Sequence, residues 1–231
     1  MTSTEPRHEP ERSHSSQHAG LGVTDHLPSE KLSVELRIRT AGLHRQAEQQ
    51  LNLPDAVSTC SDYRHWLAGF FGFYQPLEAK LAAFPDWDGL GISIASRLHA
   101  SAIAHDLAAL GTDSSSVPQA AADLLPELPT IAHGLGALYV LEGATLGGQI
   151  ILRGIEARPG LSIGPARQFF GGRGRDLGPM WNDFRERLDG YGRLHPLKRN
   201  DVVAGAQRTF QSLLRWFAAD VSRNGEFSHG Y

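Results

Sequence analysis

Between Arg37 and Glu48 the chain places a guanidinium, a hydroxyl, an imidazole and a carboxylate at helical intervals. Thr40, His44 and Glu48 are four apart, and Arg37 and His44 are seven apart. Residues so spaced share a helix face. An imidazole at the margin of an apolar stripe has two readings, a core histidine satisfied by its neighbours or a metal ligand. Glu48, one turn on, could fix the ring as carboxylates behind metal-bound histidines do. Arg37, two turns back, could reach an anionic group at the edge of a ligand. Other chemistries lack their residues. There is no G-x-S-x-G elbow, no HExxH, no Cys/His set at zinc spacing and no Glu-x-x-His repeated on two helices. The run GGRGRDLG at 171–178 follows no strand, so it reads as a loop rather than a phosphate cradle.

The second stretch of interest is TIAHGLGALYVLEGATLGGQIILR, Thr130–Arg153, an apolar helix carrying glycine at 134, 136, 143, 147 and 148. Each interior glycine costs a helix about 1 kcal/mol relative to alanine, and several together favour a bend. Three readings offset that cost: close helix–helix packing, a membrane span with small residues at its interface, or a bent helix whose bare face meets a flat ligand. Gly143 and Gly147 are four apart and share a face. The span has adequate length, but Glu142 stands at its centre, where a carboxylate is expensive. A bare helix face, an imidazole and a cation together suit a planar, amphipathic, metal-containing molecule with carboxylates. Heme fits that description.

These residues need a scaffold. With 231 residues, 41% of them hydrophobic, the chain can build one helical domain at 30–224, between a polar leader at 1–29 and a short tail at 225–231. A net charge of −3 gives no electrostatic case for nucleic acid. The one cysteine, Cys60, excludes an internal disulfide and reads as a structural thiol in a reducing compartment. No secretory segment opens the sequence, so the expectation is a cytoplasmic protein without a membrane anchor. The histidines of the leader, at 8, 14, 18 and 26, are too irregular for a metal tract.

Apolar or small residues at 32, 36, 40, 43, 47 and 51 predict a first helix with the Arg37–Glu48 stripe, which shares Thr40, at its edge. An aromatic-rich helix follows at 61–84, with Pro76 as a kink point. Further helices are predicted at 92–110, briefly at 119–125, at 130–153, at 180–190 and at 198–224. In the last, Val202, Ala206, Phe210, Leu213 or Leu214, and Phe217 mark the buried stripe. No strand-type alternation of useful length occurs. The predicted architecture is an all-α bundle of about six to eight helices.

LRIRTAGLHRQAE at 36–48 resembles the first-helix motif of heme oxygenases, L-R-x-x-T-x-x-x-H-x-x-x-E. YVLEGATLGGQ at 139–149 resembles their distal helix, in its bacterial form, and FRERLDGY with AQRTFQSLLRWF resembles their closing helices. The resemblance runs over about residues 30–222. It implies that His44 is the proximal iron ligand, with Thr40 and Glu48 in the same motif. It implies that the backbone at Gly143, Gly147 and Gly148 crosses the distal face and steers bound oxygen. Arg37 and Arg185 match basic residues near the heme carboxylates, Tyr139 a wall or carboxylate contact, and Phe210 and Phe217 aromatics near the heme plane. One position departs: animal enzymes carry Asp directly after the first distal glycine, where this chain has Ala144.

The implied reaction takes heme b as cofactor and substrate. With O2 and electrons from a ferredoxin, flavodoxin or reductase it yields biliverdin, CO and iron by α-meso cleavage. The bacteriophytochrome-associated subgroup further suggests a phytochrome as receiver of the biliverdin. A non-catalytic heme carrier is the rival from another class; it would tolerate side chains at Gly143 and Gly147. A helical enzyme acting on a thiamin-like pyrimidine would need a cysteine nucleophile, and Cys60 sits at a helix start.

Overall fold

The structure, a computed structural model, describes residues 1–2, 31–172 and 174–225, with side chains to residue 219. The expected leader and tail lie almost wholly outside that range. Among the described residues there are seven α-helices and no strand: α1 (Leu32–Leu51), α2 (Cys60–Ala82), α3 (Ala100–Ala109), α4 (Ile131–Glu156), α5 (Gln168–Gly171), α6 (Leu177–Leu194) and α7 (Arg199–Gly225). The all-α expectation holds.

Helix α7 organises the bundle, because α4 and α1 both lie along it. Glycine permits the α4 contact. A Cβ on Gly136 would strike the carbonyl oxygen of Val202 and stand 2.6 Å from the Ala206 nitrogen, and one on Gly205 would strike the carbonyl of His133. The two backbones therefore touch directly, over the buried stripe Val202, Val203, Ala206 and Phe210. Along α1 the contact is made by side chains. Gln207 donates to the Arg39 carbonyl at 3.1 Å, Gln50 to that of Leu214 at 2.8 Å, and Arg199 pairs with Glu35 at 2.6 Å. Helix α4 is long and apolar enough to cross a membrane, yet 56% of that apolar window is buried inside the protein. The core helix of a protein can carry the same composition.

Three buried carboxylates hold the starts of other helices, where N–H groups lack intrahelical partners. Asp189 accepts from the backbone and hydroxyl of Ser33 at 2.8 and 3.1 Å, at the start of α1. Glu78 accepts from the His99 and Ala100 nitrogens at 2.6 and 3.0 Å, at the start of α3. Asp106, wholly buried, accepts from Gln168 and Phe169 at 2.9 and 2.8 Å, at the start of α5. Asp106→Asn turns an amide N–H toward donors or leaves one of them unpaired. Chemical denaturation should register a loss of about 1–3 kcal/mol, whereas an unchanged midpoint would remove Asp106 from this role.

Besides end shifts of a few residues, such as α6 at Leu177–Leu194 for the predicted 180–190, two segments differ from the sequence reading. The third helix starts at Ala100 rather than near Ile92, because Ile94–Arg97 forms a 3-10 turn that carries Arg97 inward, to 4% exposure. Residues 119–125 form turns instead of a helix. Pro76, lacking an N–H, frees the Gly72 carbonyl, and Ala120 of this segment donates to that oxygen at 2.8 Å. Helix α2 continues through Pro76, and α4 continues through all its glycines.

Candidate functional site

The outer face of α1 carries Arg37, His44 and Glu48, all exposed. The His44 side chain is 56% exposed, with its Nδ1 3.5 Å from Glu48 Oε1. Its ring stands edge-on to Phe210 of α7, centroids 5.9 Å apart and planes at 80°. Glu48 thus addresses one ring nitrogen, and Nε2 is the nitrogen left to face a ligand. Phe210 limits the ring's tilt. An imidazole so placed can serve as an axial donor.

The glycines of α4 divide into two groups. Gly134, Gly136, Gly148 and Gly154 are contact glycines: a Cβ there would meet Phe84, the α7 backbone, the Phe170 carbonyl at 2.9 Å and Pro54 at 2.5 Å respectively. Gly143 and Gly147 are different. A Cβ on Gly143 would find only Trp181, at 4.0 Å, and one on Gly147 would find nothing within 4 Å. Leu146 and Ile150 flank them, 39% and 63% exposed. Positions 143, 146, 147 and 150 share one helix face. A core helix therefore presents a stripe of bare backbone and uncovered aliphatic side chains, the kind of surface a ligand or partner covers.

Tyr139, one turn before Gly143, links the two faces. Its ring lies 5.6 Å from that of Trp181 on α6. Burial pushes its hydroxyl pKa up, while the charges of Arg37 on α1 and Arg185 on α6 oppose that rise. Three elements thus converge on one phenol. Among the described residues neither Arg37 nor Arg185 has a carboxylate partner. Two cations without counter-ions beside an apolar stripe suit a ligand with an anionic edge.

Arg37, His44, Glu48, Phe210, Tyr139, Arg185, Gly143 and Gly147 stand on or beside these surfaces. Three other residues of the sequence reading do not join them. Thr40 turns inward, 3% exposed, and its hydroxyl donates to the Leu36 carbonyl at 2.7 Å, so it is satisfied within its own helix. Gly148 faces the α5 backbone. Phe217 lies two turns beyond Phe210, 2% exposed, among Trp66, Phe70 and Gly69.

The sequence reading missed Trp181 and Arg97. Trp181 had no periodic signal at the loop-rich entry to α6. Arg97 had one: it is a lone charge in a long run of apolar and small residues, as Glu142 is in α4. Two such charges of opposite sign suggest a buried pair. They form one, Arg97 Nη1 standing 3.2 Å from Glu142 Oε2.

Several solved structures share this fold. A heme oxygenase from Neisseria meningitidis, described in NO- and CO-bound forms, aligns with a TM-score of 0.66 at 17% identity, over 83% of this chain and 92% of its own. A heme oxygenase from Leptospira interrogans aligns at 0.64 and 18%, over 82% of this chain and 100% of its own. No curated protein sequence matches. Residues 30–219 match the Heme oxygenase family. The chain belongs to that family and is a heme-degrading enzyme with heme as its substrate.

Proposed function

We propose that this protein binds heme b between the His44 face of α1 and the Gly143–Gly147 face of α4. It cleaves the ring with O2 and external electrons, at the α-meso carbon, to biliverdin, CO and iron. The observation that carries this reading is the open backbone at Gly143 and Gly147 in a helix whose other glycines are filled by packing. Bound heme supplies both the redox-active iron and the ring carbon that is attacked.

The chain's own residues do the positioning. His44 offers Nε2 to the metal, with Glu48 holding the ring from Nδ1. An imidazole ligand would lack the electron push that a thiolate gives a heme iron. Arg37 and Arg185, whose charges both reach the Tyr139 hydroxyl, would take the carboxylate edge of a bound heme. The bare backbone at Gly143 and Gly147 would leave space for a small ligand on that side of a bound heme. Since Ala144 brings no carboxylate to the distal side, backbone carbonyls or other polar groups would hold the water network there. A ferredoxin, flavodoxin or reductase supplies electrons in the cytoplasm, and a bacterial phytochrome is the proposed recipient of the product.

The test is a haemin titration of the purified chain, followed by reductant and oxygen. A Soret shift that converts to a biliverdin spectrum, with the α isomer on chromatography, is expected. A Soret band that persists under turnover conditions would point to a carrier, and a different isomer would overturn the α assignment.

A further inference from the structure

An ionic cluster with Arg97 and Glu142 buried and Asp183 and Arg187 at its half-exposed end lies outside the residues proposed to touch heme. Arg97, 4% exposed, binds three groups at once. Its Nη1 lies 3.2 Å from Glu142 Oε2 on α4 and donates to the Met180 carbonyl on α6 at 3.2 Å. Its Nη2 donates to Asp183 Oδ2 at 2.6 Å, also on α6. The guanidinium carbon sits 5.5 Å from the centre of the Phe184 ring. Arg187 grips the far side of Asp183, its Nη2 2.8 Å from Oδ1. The position of the cluster is informative. Glu142 immediately precedes Gly143. Met180 and Asp183 bracket Trp181, the side chain nearest Gly143, and Arg185 follows two residues later.

Burying such a cluster gives little net stability, because desolvation offsets the attraction, and a well-packed apolar set of equal volume often does as well or better. What an apolar set cannot do is fix rotation and register. A bidentate guanidinium can, because its donors point in fixed directions. We propose that Arg97 is a positioning residue: it locks α6 to the turn of α4 that precedes Gly143, and so sets where Arg185 and Trp181 stand against the ligand. This rests on the heme reading above and adds to it a residue that touches neither heme nor its ligands. Arg97 acts on heme only through Arg185 and Trp181.

A double-mutant cycle on heme affinity, read from Soret titrations, separates this role from general support of the fold. Arg97→Met keeps much of the volume and removes the directional bonds. Alone it should weaken haemin binding roughly tenfold, with helical circular dichroism retained. In an Arg185→Ala, Trp181→Leu background the same change should have little further effect. Asp183→Asn, in a half-exposed partner that poses less risk to folding, should show the same non-additivity in milder form. Losses that add fully in the combined background, or unchanged affinity in Arg97→Met, would overturn the proposal. If the unsubstituted chain gave no His44-dependent Soret shift, the heme reading itself would fail and take this one with it. Additive losses in a chain that binds heme normally would defeat the positioning role alone.

Discussion

His44→Ala is expected to reduce heme turnover to near background while the protein stays folded. The imidazole is half-exposed and, among the described residues, its ring contact is with Phe210, so removing it should cost under about 1.5 kcal/mol of stability. The loss of function should be far larger. Changing a partner behind a metal ligand typically costs about 10–100-fold, and deleting the ligand itself should exceed that. The exposure of the site adds a second signature. Free imidazole can enter the space the ring leaves, so millimolar imidazole should restore the Soret position of the Ala variant and part of its turnover. A variant with unchanged turnover, or one that imidazole cannot rescue while another histidine substitution abolishes the spectrum, would remove His44 from the proximal role.

The glycines of α4 give the second large effect, which is a contrast within one helix. At Gly136 a methyl group would overlap the α7 backbone at Val202, and backbone cannot rotate aside as a side chain can. Gly136→Ala should therefore separate α4 from α7 and cost about 3 kcal/mol or more, in spite of alanine's better helix propensity. At Gly147 nothing stands within 4 Å. There Gly147→Leu should raise stability by roughly 0.5–1 kcal/mol, through the backbone freedom removed. In the same protein heme binding should weaken by roughly 1–3 kcal/mol, a factor of about five to over a hundred, because the new side chain occupies the ligand's space. Thermal melts and Soret titrations of the two variants separate the effects. Equal destabilisation at both positions would mean that Gly147 is a packing glycine like the others. Full heme affinity in Gly147→Leu would mean that the ligand lies elsewhere.

That contrast also marks what could be read from the sequence. The helical period of α1, the aromatic load of α2 and the apolar stripe of α7 were legible because local periodicity and burial agree there. The glycines of α4 were visible as a group, but their division was not. Whether a missing Cβ meets a neighbouring backbone or open space depends on α5 and α7, far away in the chain. Thr40 illustrates the same limit. Its interval matches that of His44, yet it can satisfy its hydroxyl on the Leu36 carbonyl and turn inward, and spacing alone does not distinguish the two. Arg97 showed as a lone charge, but its direction was hidden by its segment: a continuous helix from Ile92 would have carried it differently from the 3-10 turn that aims it at Glu142 and Asp183. Phe217 lay on the right stripe of α7 but one heptad too far along it.

The central claim is that heme lies with the His44 imidazole on one face and the uncovered peptide of Gly143 and Gly147 on the other. A crystal structure of the haemin complex tests it most directly. The account predicts iron bonded to His44 Nε2, the α-carbons of Gly143 and Gly147 over the opposite face, and carboxylates toward Arg37 and Arg185. Iron held by any other side chain, or a porphyrin seated away from the open stretch of α4, would contradict it.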